Sequence, residues 1–127
     1  MRFHFFRAGL TAALLLLAAC SPQPTLEVPA EFQEGQTLFH KICSNCQGSD
    51  ALGKEVKAPK LIDVDYIQEN FSDDDIRTTI IEGTDKMPRQ RAKISDDEIA
   101  KVIKYLRYSQ QTAGLVIEEE DEEADSD

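Results

Sequence analysis

Two cysteines two residues apart, Cys43 and Cys46, close a stretch whose apolar residues recur with a helical period. Phe32, Gly35, Phe39, Ile42 and Cys46 fall at steps of three or four, on one face of a helix that starts near Ala30. A thiol pair placed one turn apart at a helix end has three uses: a local disulfide staple, a redox couple, or covalent attachment of a prosthetic group. The rest of the chain has to be built around whichever it is. Gly35 adds a second constraint, because a glycine inside a helix costs about 1 kcal/mol relative to alanine. Its place on the apolar face predicts another helix crossing closely there.

Further along, residues 48–60 read as loop, with Gly53 and Pro59 as breakers. Ser72 with Asp75 three residues on is a capping-box pattern, and Asp73 and Asp74 suit the positive end of the helix dipole. Ile76, Ile80 and Ile81 supply that helix's buried side and Gly83 its stop. Ser95 with Glu98 repeats the capping box, ahead of an apolar stripe of Ile99, Val102, Ile103 and Leu106 beside Tyr105. The expectation is an all-α domain of three or more helices joined by long loops. No strand pattern or internal repeat competes with it. Loops of that length in a compact domain are usually functional, and a flat apolar cofactor would fill the space they enclose.

The ends of the chain are read separately. Arg2 and Arg7, the apolar run of residues 8–17 and Leu17-Ala18-Ala19-Cys20 form a secretory signal of the bacterial lipoprotein type over residues 1–19. The run is about half of the roughly 20 residues that a membrane-spanning helix needs. Cleavage before Cys20 would leave its thiol for lipidation, and Ser21 after it suits outer-membrane sorting. Residues 20–30 then form a proline-bearing linker, residues 31–112 the domain and residues 113–127 an acidic disordered tail. Eight carboxylates lie in residues 118–127. The formal charge of −10 becomes −12 without the two signal arginines, and −4 once those eight carboxylates are set aside. Nucleic-acid binding, which needs a net basic footprint, is excluded on that ground.

Taken together these features resemble the class I cytochrome c family over residues 31–109. The resemblance rests on Gly35 and Phe39, on Cys43-Ser44-Asn45-Cys46, on Ala58-Pro59-Lys60-Leu61, on Gly83-Thr84-Asp85-Lys86-Met87-Pro88, and on Tyr105-Leu106-Arg107. It implies a small cytochrome c-like fold in which the Gly35 helix crosses the Tyr105 helix. It further implies haem c held by thioethers from Cys43 and Cys46, with Met87 as distal iron ligand, Pro59 supporting the proximal side, and Tyr105 in the cofactor's surroundings. In the family a histidine follows the second cysteine; here Gln47 takes the proximal position. A carboxamide can offer iron an oxygen but is a weaker donor than imidazole. His40, the only histidine outside the signal, lies seven residues earlier, about 10 Å along a continuous helix and too far to replace Gln47.

The function implied is haem binding and single-electron transfer by a periplasm-facing lipoprotein of the cell envelope, the outer membrane being favoured. A redox partner protein and the membrane are its partners. Two alternatives use the same residues: a haem-free accessory subunit stapled by a Cys43–Cys46 disulfide, and a thiol–disulfide redox protein. No catalytic constellation is visible, so an electron carrier or accessory subunit is expected rather than an enzyme. Lys86, Arg89, Arg91 and Lys93 make a basic segment around Met87 with no acid among them, suited to an acidic partner or to the acidic tail.

Overall fold

The computed structural model describes residues 22–54 and 58–116. The lipoprotein signal, Cys20 and the acidic run of residues 118–127 lie outside the described residues. Helix α1 spans Ala30–Ile42, the short α2 Ser44–Gln47, α3 Asp73–Glu82 and α4 Asp96–Thr112, with single 3₁₀ turns at Ser49–Ala51 and Val64–Tyr66. Among the described residues there is no strand, only an isolated bridge between Lys54 and Ala58. The all-α expectation holds.

Both long-range helices start where the sequence places them. Ser72 Oγ accepts the Asp75 N–H while the Asp75 carboxylate accepts the Ser72 N–H, and Ser95 and Glu98 repeat the arrangement at α4. These reciprocal bonds hold Asp75 and Glu98 ionised, each below its ordinary carboxyl range through its serine partner. Gly83 closes α3 at φ 77°, a left-handed conformation that favours glycine, and its N–H caps the Thr79 carbonyl.

Helix α1 packs on α4, and the contact is closest at Gly35. A Cβ built there would sit on the Lys101 carbonyl oxygen and 2.9 Å from Tyr105 Cβ. The glycine is therefore required by a backbone approach, as its place on the apolar face predicted. Phe39, Ile99, Val102, Tyr105 and Leu106 form the buried seam, and Ile76 and Ile80 of α3 close over it.

Two features differ from the sequence reading. The helix expected to continue to Cys46 breaks at Cys43, because Ser44 Oγ donates to the His40 carbonyl at 2.6 Å. Such i−4 back-bonding by serine bends helices. Cys46 therefore lies exposed on α2 instead of continuing the buried face. The second difference is the linker, which is docked at Thr25 and Leu26. The Thr25 N–H and hydroxyl both donate to Asp50 Oδ2, at 2.9 and 2.6 Å, and Gln36 Nε2 donates to the Leu26 carbonyl at 2.7 Å. Asp50 is buried and, with Ala51, adopts positive φ (52° and 60°), a conformation that costs a non-glycine residue about 1–2 kcal/mol. The bonds from the strap help to offset that cost.

Replacing Gly35 by alanine adds helix propensity worth about 1 kcal/mol but forces α1 off α4. Overpacking of this kind costs about 1–3 kcal/mol, and more when backbone must move. The expected outcome is a net loss of stability, read as a lower denaturant midpoint; an unchanged or higher midpoint would contradict the close approach.

Candidate functional site

The loops do not fill the space they span. They enclose an open cavity of about 1000 Å³ between α1, α2, α3 and α4. That is the upper end of the roughly 300–1,000 Å³ range of small-molecule and cofactor sites. Its floor is apolar: Phe39 from α1, Ile76 and Ile80 from α3, and Val102 and Leu106 from α4.

The cysteine turn forms one wall. Cys43, Asn45, Cys46 and Gln47 all line the cavity, with Cys43 half-buried, Cys46 exposed and both thiols free. Burial, with a smaller contribution from Cys46, pushes the Cys43 thiol up to about 12. A thiol–disulfide exchange that attacked through Cys43 would need its thiolate, which this burial disfavours. Gln47 is fixed by its backbone: its N–H donates to the Cys43 carbonyl at 3.0 Å, and its own carbonyl accepts from the Gly53 N–H at 2.9 Å. Its side-chain Oε1 is buried with no donor. An unpaired buried acceptor costs about 1–3 kcal/mol, and this one is shielded although its residue lines the cavity.

Met87 lines the same cavity from the segment after α3. Gly83 turns the chain, the Thr84 N–H donates to the Met87 carbonyl at 2.8 Å, and Thr84 Oγ1 accepts the Met87 N–H at 3.1 Å. Gln90 pins the far end, its N–H donating to the Ile80 carbonyl and its Nε2 to the Pro88 carbonyl. The methionine sulfur is thus carried on a tied loop. Pro59 also lines the cavity, beside Ala58.

Two residues named in the sequence reading stand outside the cavity wall, His40 as that reading expected and Tyr105 not. His40 is buried outside the cavity walls, its Nδ1–H donating to the Gln36 carbonyl at 2.8 Å and its Nε2 accepting the Asp50 N–H at 3.2 Å. Both nitrogens are engaged, so its role is to hold the loop after α2. Tyr105, expected beside the cofactor, lies one layer behind the wall. Its ring packs on Phe39 at 5.7 Å between centroids and its hydroxyl donates to Asp50 Oδ1 at 3.4 Å. Burial, then the Asp50 charge, pushes its phenol up to about 12. The basic segment is reduced as well: Lys86 lines the cavity and Arg89 and Lys93 are exposed, but Arg91 is bound to both oxygens of Asp96 at 2.6 and 3.0 Å.

The sequence reading missed the fourth wall, Leu61, Tyr66 and Phe71, and the residues that hold it. Arg107 donates to the Tyr66 and Phe71 carbonyls, to Asp73 and to Gln110. Gln110 Nε2 donates to the Leu61 and Tyr66 carbonyls at 2.9 and 2.8 Å. The signal was available: Gln110 follows Leu106 by four, a polar residue on the apolar stripe.

Among the described residues there is no group of three or more histidine, cysteine or acidic side chains able to hold a bare metal ion. The donors present are two thiols, a thioether and a carboxamide around an apolar slot, which fits an iron porphyrin attached through its periphery. Residues 30–106, more than half of the chain, match the family model described as cytochrome C oxidase, cbb3-type, subunit III. No curated protein and no solved structure matches the chain at a significant level.

Two outcomes check this geometry. In the haem-free domain, iodoacetamide at pH 8 should label the thiol of Cys43→Ser (Cys46 remaining) at least tenfold faster than that of Cys46→Ser (Cys43 remaining). Equal rates would contradict the burial of Cys43. Gln110→Ala should loosen the Leu61–Phe71 wall and cost about 1–3 kcal/mol, because the part-buried Leu61 carbonyl loses its donor and the Tyr66 carbonyl one of its two; hydrogen exchange should then accelerate in that wall and leave α1 unchanged.

Proposed function

Because the chain belongs to the cytochrome c oxidase, cbb3-type, subunit III family, a class I cytochrome c-like domain, we propose that it binds haem c in the cavity and passes single electrons in the cell envelope. The observation that carries the reading is the convergence of Cys43, Cys46 and Met87 on one apolar slot. When bound, the haem supplies a one-electron iron couple. The chain's own residues do the rest. Cys43 and Cys46 hold the group through thioethers, which uses thiols that burial and exposure have left free. Phe39, Ile80 and Leu106 exclude water from its faces. Met87 offers a soft, neutral sulfur, a donor class that favours ferrous iron and raises the potential. Pro59 shapes the wall near the attachment turn, and Gln47 stands in the proximal position.

Lys86 lines the cavity next to Met87, and Arg89 and Lys93 are exposed in the segment that follows. A positive rim on an acidic chain would steer an acidic redox partner to the edge where electrons leave. The envelope location follows from the lipoprotein-type motif ending in Cys20. The docked strap bears on it: with Thr25 tied to Asp50, only residues 21–24 separate the lipidated residue from the folded unit. The domain would then sit close to the bilayer, not at the end of a free spacer.

The test is expression with c-type maturation machinery, followed by a denaturing gel stained for haem. Stain is expected in the parent and absent from the Cys43→Ser/Cys46→Ser double variant. A folded, unstained parent would contradict the proposal and favour a haem-free accessory subunit. Separately, labelling with radioactive palmitate should be lost in Cys20→Ala, and retained label would contradict lipidation at that residue.

A further inference from the structure

Two side-chain oxygens among the described residues are buried without a donor, Gln47 Oε1 and Gln90 Oε1, and only Gln47 belongs to the cavity wall. Its backbone cannot shift easily, being bonded to Cys43 on one side and Gly53 on the other. The oxygen is shielded where it stands. A half-turn about the side chain's Cγ–Cδ bond exchanges oxygen and nitrogen without moving the backbone, and frees the oxygen from its unpartnered place. No histidine competes for the role, since His40 has both ring nitrogens engaged outside the cavity. The other donor is Met87, reaching the cavity from a different segment.

The two donors are unlike. An amide oxygen is hard and suits ferric iron; a thioether is soft and suits ferrous iron. We infer that Gln47 is an exchangeable oxygen ligand, so that reduced iron takes a small neutral π-accepting ligand of the carbon monoxide class on the Gln47 side. The inference rests on the haem reading above. On reduction, one electron from the reductant converts ferric to ferrous iron and the iron–oxygen bond to Gln47 opens. The incoming ligand's lone pair makes the new bond, the carboxamide stays neutral and no proton moves. Met87 is retained as the donor on the opposite side, because it is the stronger of the two toward ferrous iron.

The experiment uses the haem-loaded domain, reduced with dithionite and titrated with carbon monoxide. Its visible spectrum should shift on adding the gas, and Gln47→His should lower the affinity at least tenfold by supplying a strong imidazole. In Met87→Ala the carbon–oxygen stretching frequency of the adduct should move, since that variant changes the donor opposite the gas. A loaded parent inert to carbon monoxide overturns the inference alone, as does equal affinity in Gln47→His. An unchanged stretching frequency in Met87→Ala means that the gas had replaced Met87, and overturns the assignment to the Gln47 side. A parent domain that carries no haem overturns the underlying reading, and this inference with it.

Discussion

The backbone approach of α1 to α4 at Gly35 is the contact on which the other parts depend. It brings Phe39 and Tyr105 to one seam and sets the direction in which α1 ends, and so where Cys43, Cys46 and Gln47 stand. Helix α3 contributes Ile76 and Ile80 from above, but it does not seal the seam. The space left between the three is the cavity. Its walls are held by polar contacts: Arg107 and the wall residue Gln110 for one loop, Gln90 for another, and His40 with Asp50 for the turn after the cysteines.

That division explains the placing of the polar residues. The buried face toward the cavity is almost wholly apolar, as an apolar planar group requires. The buried polar cluster of His40, Asp50 and Tyr105 sits on the other side of Phe39, where the exposed Thr25 bonds to Asp50 and ties the N-terminal strap to the domain. His40, the one histidine among the described residues, is spent on this structural knot. Gln47 follows the cysteine pair, and under the proposed reading a carboxamide stands there where the family pattern has an imidazole.

Much of the fold was legible because its signals are local. The capping boxes at Ser72 and Ser95, the stop at Gly83 and the helical period around Phe39 each depend on residues within one or two turns, and all reappear in the structure. Gly35 was legible for a different reason: a glycine that weakens a helix on its apolar face needs a partner to justify it. The break at Cys43 was not, because the Ser44 back-bond competes with a helical pattern that continues through it. Neither was the strap, whose bonds to Asp50 join residues 25 positions apart with no pattern in the sequence. Tyr105 was placed in the right helix but one layer too near the cavity, since a stripe defines a helix face and not the depth at which a ring comes to rest. Of the site, the cysteine turn, Pro59 and Met87 were legible as motifs, and the Leu61–Phe71 wall was invisible because its contacts are with carbonyls.

The central claim is that one cavity holds an iron porphyrin between the cysteine turn and Met87. X-ray absorption at the iron edge of the loaded domain tests it most directly. A single sulfur scatterer that disappears in Met87→Ala, with the cysteine attachment intact, is the predicted result. A spectrum fitted by light-atom ligands alone in the parent, or a sulfur shell that survives in Met87→Ala, would contradict it.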